Sequence, residues 1–145
     1  MASYDLEGSV ADSIAMDRLP QGTDDYQVSL DRLLDLLRIE DEEERPSSHA
    51  FTTASSLMTS ARLLLKTGYP RAVLSADGDG GIRIEWVSGE REVRLIIPAN
   101  EHSKGYIYHQ QGENPVVDPT PPTGTTLAKW LQRLVLRPPW SLSVA

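Results

Sequence analysis

Three histidines, a glycine-rich acidic turn and a run of five acids are the groups in this chain that could do chemistry. A histidine acts as a general base when a partner orients it within hydrogen-bond reach of the proton it takes. His102 stands in a polar stretch beside Asn100 and Glu101, and His109 follows Tyr106 and Tyr108. His49 lies among small polar residues. No serine occupies a GxSxG elbow, so a hydrolase triad has no anchor. The chain contains no cysteine, which removes disulfides, thiolate metal sites and cysteine nucleophiles and fits a reducing compartment.

Asp77-Gly78-Asp79-Gly80-Gly81 resembles the opening of a calcium loop. Such a loop needs an oxygen ligand at its fifth position and a bidentate glutamate at its twelfth. Gly81 and Ser88 stand there instead. A hairpin turn accounts for all five residues, because Asp-Gly and Gly-Gly supply positive φ. No GxxxxGK[ST] pattern is present, and a strand rather than a helix follows the glycines, so a phosphate loop is excluded. No metal and no cofactor is expected.

Charge is the strongest signal. Residues 1–46 carry thirteen carboxylates and four arginines, a balance of −9. Residues 47–145 carry eight carboxylates against ten lysines and arginines, a balance of +2, so the whole −7 sits in the first third. Its densest part is Glu40, Asp41, Glu42, Glu43 and Glu44. Just before it, Leu30, Leu33, Leu34 and Leu37 follow the helical i, i+3, i+4, i+7 rule. Leu36 and Ile39 widen that stripe beyond what a lone linker helix needs. Acids beside surplus leucines fit docking on a basic protein, with charge giving rate and selectivity and leucine burial giving affinity. The expected partner-binding residues are therefore Leu30, Leu33, Leu34, Leu37, Glu40, Asp41, Glu42, Glu43 and Glu44.

The elements that would position these groups divide into three segments. Residues 1–28 read as an acidic, flexible or loosely docked extension, since low hydrophobicity with like charge does not offset ordering entropy. Residues 29–46 read as a leucine helix capped by Ser29, then the acidic run, then Pro46 as a break. Residues 47–145 read as an α+β domain. A second helix over 49–67 is capped by Ser47 or Ser48, with an apolar face of Phe51, Ala54, Leu57, Met58, Ala61, Leu64 and Leu65 and a stop at Gly68. Its remaining positions, among them Thr52, Ser55, Ser56, Thr59 and Ser60, form an uncharged hydroxyl surface suited to close approach. Strands are expected at 72–76, 82–87, 93–97 and 105–109, with Ile82, Ile84 and Trp86 facing a core. Residues 110–124 read as a long loop holding Pro115, Pro119, Pro121 and Pro122. Its PxxP spacing is better explained by a covering loop than by a ligand motif. A third helix begins at Thr125 or Thr126, with Leu127, Trp130, Leu131 and Leu134 inward. The expected architecture is a four-stranded antiparallel meander with helices on one face, in the order α-α-β-β-β-β-α.

Arg83, Glu85 and Arg94 should share the solvent face of the sheet, where cross-strand ion pairing explains them better than RNA binding. The stretch from Asp79 to Trp86, with the alternating strand after it, resembles a hairpin of small bacterial proteins. It consists of turn and core positions, so it implies no functional residue.

These readings converge on a non-catalytic interaction module of the cytoplasm. It would be a small acidic accessory subunit or neutraliser, like an inhibitor or antitoxin. Its partner would be a basic bacterial protein or complex, of which a nucleic-acid-handling machine is one kind. Direct nucleic acid binding and membrane contact are not expected at this charge. The alternatives are a homo-oligomer formed through the second helix and the sheet edge, and a small enzyme using His102 and His109.

Overall fold

A computed structural model describes residues 21–65 and 68–135, with side chains from Asp25 onward. Three helices and five strands follow in the order α1 (Gln21–Leu36), α2 (Ser48–Leu64), β1 (Ala72–Ala76), β2 (Ile82–Ser88), β3 (Arg91–Ile97), β4 (Tyr106–Gln111), β5 (Asn114–Val117) and α3 (Gly124–Val135). The strands form one antiparallel sheet in chain order, each paired with the next. Short turns leave no other arrangement.

Register places Leu74, Ile84 and Leu95 in one cross-strand row and Trp86 opposite Val93 in the next. These side chains are all buried, as are Ile82, Ile97 and Ile107. The helices roof this face with Leu33, Leu36, Ala50, Ala54, Met58, Leu127 and Leu131. The buried side of α2 is mostly alanine, so its backbone lies close to its neighbours. Gly124, the first residue of α3, sits against Ser60, where an added Cβ would stand 2.3 Å from the serine Cβ. The hydroxyl-rich surface thus receives a close neighbour on one side from the chain itself.

The fifth strand corrects the four-stranded expectation. β5 lies inside 110–124, which reads as loop in the sequence. Gly112, at φ +66, turns the chain, and Gln110 faces Pro115 across the hairpin. A proline has no N–H for the ladder and is tolerated at a sheet edge, where β5 sits. The opposite edge is guarded differently. Arg32 of α1 donates from Nε to the carbonyl of Leu74 in β1 at 3.3 Å, which blunts an otherwise open template.

The helix expected to start at Ser29 starts at Gln21, and the chain passes through 28–29 as continuous helix. Ser29 is a buried interior residue and not a cap. Tertiary contacts hold the extra turns. The Tyr26 ring meets Tyr69 edge-on at 5.2 Å, its hydroxyl bonds Thr59 Oγ1 at 2.9 Å, and Asp25 lies 3.4 Å from Arg71. The helix stops at Leu36, before the acids. α2 is capped by Ser47, whose Oγ accepts from Ala50 N at 3.0 Å, and it closes with Leu65 in an extended conformation rather than at Gly68. α3 begins one residue before the expected threonines, and Thr123 Oγ1 accepts from Thr126 N at 3.0 Å.

Beneath α1, Ser29 Oγ, Tyr69 Oη and Trp86 Nε1 are buried without a hydrogen-bond partner in good geometry. Burial pushes the Tyr69 phenol far above its ordinary value, while the facing Trp86 indole and Ser29 hydroxyl oppose that rise. Residues 1–20, including most of the expected acidic extension, and the chain beyond 135 lie outside the described residues.

Candidate docking surface

Acidic residues 40–44 occupy a built turn. Asp41 is its organiser: its Oδ1 accepts from Glu43 N at 2.9 Å and its carbonyl accepts from Glu44 N and Arg45 N at 3.1 and 3.0 Å. Arg45 folds back, donating from Nε to the Ile39 carbonyl at 2.8 Å and from Nη2 to the Glu40 carbonyl at 3.3 Å. Pro46 is buried. Ser47 N then donates to the Gly80 carbonyl at 2.9 Å, and Ser47 Oγ donates to the Ala99 carbonyl. The turn is thereby fixed to the β1–β2 hairpin and to the end of β3. Glu40, Glu42, Glu43 and Glu44 all project into solvent.

The leucines divide. Leu33 is 1% exposed and, with Leu36, belongs to the core, while Leu30 packs partly against it. Leu34 and Leu37 remain 49% and 37% exposed at the end of α1, next to the acids. Of the nine residues expected to meet a partner, Leu33 therefore faces the protein's own interior. One oxygen of the exposed Asp41 carboxylate is used within its own turn. Leu34, Leu37, Glu40, Glu42, Glu43 and Glu44 all remain exposed, at the end of α1 and in the turn that follows it.

The groups weighed for catalysis have local duties. Asp77 Oδ1 accepts from Asp79 N at 2.7 Å and Gly81 N at 2.9 Å, closing the hairpin turn. An added Cβ at Gly81 would lie 2.6 Å from the Ile97 carbonyl, so glycine is needed there for close approach. His102 is exposed in a turn in which its N–H and that of Ser103 donate to Asn100 Oδ1. His109 stacks face to face on Trp130 at 3.6 Å. Burial lowers the His109 pKa; Asp118 opposes this, and Arg133 and Lys129 add to it.

Asp118 carries no functional signature in the sequence, and it holds this corner together. It is 6% exposed. Its Oδ1 accepts from Thr120 N at 2.9 Å and Thr120 Oγ1 at 2.6 Å, and its Oδ2 accepts from Trp130 Nε1 at 2.6 Å. The Thr120 hydroxyl and amide, then the Trp130 indole, draw its pKa down to about 2. Both oxygens are engaged and the imidazole is covered by an indole, so this cluster fastens β4 and β5 to α3. The one local signal is an Asp-x-Thr step ahead of a helix, which is a side-chain-to-backbone turn motif.

The outer sheet face is the rival surface. Arg94 sits at its centre, 2.9 Å from Glu85, 2.6 Å from Glu92, and over the Tyr108 ring. The ion pairing expected there is present. Val73, Val87 and Val117 are exposed around it, but the central charge is already neutralised within the sheet.

Among the described residues, no helix is long and apolar enough to cross a membrane. No family model, curated protein or solved structure matches the chain.

Proposed function

We propose that this chain is a non-catalytic protein-interaction module, a small acidic accessory subunit or neutraliser of the inhibitor or antitoxin kind. It docks through the end of α1 and the acidic turn on a basic protein or complex. The observation that carries this reading is the exposure of Leu34 and Leu37 beside four solvent-facing glutamates on a rigidly hydrogen-bonded turn.

Exposed leucines retain burial free energy that a partner groove can collect, about 25 cal/mol per Å² of apolar area removed from water. The glutamates steer a basic surface toward them and reject acidic ones. Arg45 and Asp41 hold the turn in place beforehand, which lowers the ordering cost of binding.

Affinity purification of the tagged full chain from its native cells, beside an L34S/L37S variant, tests the reading. The full chain should retain a basic protein in equimolar amount, and the variant should lose it while keeping a wild-type circular dichroism spectrum. Retention of the same protein by the variant would place docking elsewhere.

A further inference from the structure

The two ends of the body carry exposed apolar side chains among charges of opposite sign. α2 begins at the acidic end, where Ser47 binds the carbonyls of Gly80 and Ala99. It finishes at Leu64, toward the end where Arg91 Nη1 donates to the Arg133 carbonyl at 2.6 Å. β2 runs between them, from Ile82 beside Gly81 to Ser88 opposite Arg91. A strand of that length separates the ends by about 20 Å.

At the second end, Leu63 is 74% exposed, Leu64 50% and Val135 37%. Leu64, Thr125, Ala128, Lys129, Gln132 and Arg133 line a hollow of about 370 Å³. The two cations that line it rest on an aromatic ring: Lys129 and Arg133 lie over Trp130 at 4.7 and 5.1 Å. Asp118 reaches Lys129 only at 4.0 Å. A cation held on a ring face keeps its charge and hydrogen-bond donors for a further acceptor. Glu90 and Glu113 also sit at this end, but in hairpin turns of the sheet, where Gly112 N donates to the Glu90 carbonyl.

We propose that this hollow receives the acidic end of a second copy of the chain. Leu34 and Leu37 of one copy pack against the exposed Leu64 of the next, and the first copy's glutamates face Lys129 and Arg133. Charge complementarity selects this head-to-tail direction, because two acidic ends or two basic ends repel. The joined surfaces differ, so each added copy presents a free end and association continues past the dimer unless a ring closes. The contact shares the acidic end with the docking reading above. The two fail separately, since substitutions in the hollow leave that end untouched.

Sedimentation equilibrium of the full chain, from about 10 μM to about 1 mM, tests the proposal over the range expected of weak contacts. The wild-type weight-average mass should climb from 16.0 kDa past the dimer. K129Q/R133Q and L34S/E42Q/E43Q/E44Q should each associate at least about tenfold more weakly, as expected when charge pairing and apolar burial are removed. An equal mixture of the two variants should form a one-to-one dimer and stop there, because each keeps one working end. Thr125→Glu, on the exposed rim of the hollow, should repel the incoming acids while the fold's own packing stays intact. A wild type that stays monomeric throughout, or variants that associate like the wild type, would overturn the proposal.

Discussion

Asp118 shows how a single carboxylate is turned to structure rather than chemistry. Three donors surround it, and they hold its pKa at about 2 against an ordinary 3.8. A folded pKa below the unfolded one means that the carboxylate stabilises the fold at pH above the unfolded value. That contribution is lost as pH falls from about 4 toward about 2, and the shift corresponds to about 2 kcal/mol. Asp118→Asn should therefore lower stability at pH 7 by about that amount and flatten the acid limb of the stability curve. Urea unfolding at pH 7 and pH 3 checks both. A variant as stable as the wild type at pH 7 would mean that the Thr120 and Trp130 contacts contribute nothing net. Only the Asp118-x-Thr120 turn has a local signature; the contact with Trp130 was not legible in the sequence, because the two meet only when β5 and α3 have folded against each other.

At the scale of elements, α1 serves two purposes that the leucine pattern merges. Leu33 and Leu36 point into the core, while Leu34 and Leu37 point out. Leu33→Ala should cost about 2 to 5 kcal/mol, as buried leucine truncations do. Leu34→Ala should stay within about 0.5 kcal/mol, as surface substitutions do. Chemical unfolding separates the two, and a large loss from Leu34→Ala would mean that it packs in the folded monomer. Strands β1 to β3 were legible because alternation and glycine turns are local signals. The start of α1 was not, because residues 21–28 are polar and are held as helix by Tyr26 on Tyr69 and by Asp25 on Arg71. β5 was hidden by Pro115, which a central strand would exclude and an edge accepts. Half of the candidate site was legible for a similar reason. The acidic run is visible as composition, whereas which leucines belong to the core depends on where α1 lies on β1.

At the scale of the whole molecule, the described residues make a five-stranded meander roofed by three helices, with unlike charge at its two ends and an internally paired outer sheet face. The acidic turn lies where α1, α2, the β1–β2 hairpin and the end of β3 converge, so it is presented on a rigid body. This is the physical basis for assigning docking to that end rather than to the broader sheet face, where Arg94 already has its carboxylates. Hydrogen exchange of the full chain, alone and with the captured basic partner, tests this assignment most directly. Binding should slow exchange across residues 37–44, the exposed segment next to Leu34, and leave the outer-face strands unchanged. Unchanged exchange over that segment, with new protection in β2 to β4, would contradict the account and move the docking surface to the sheet.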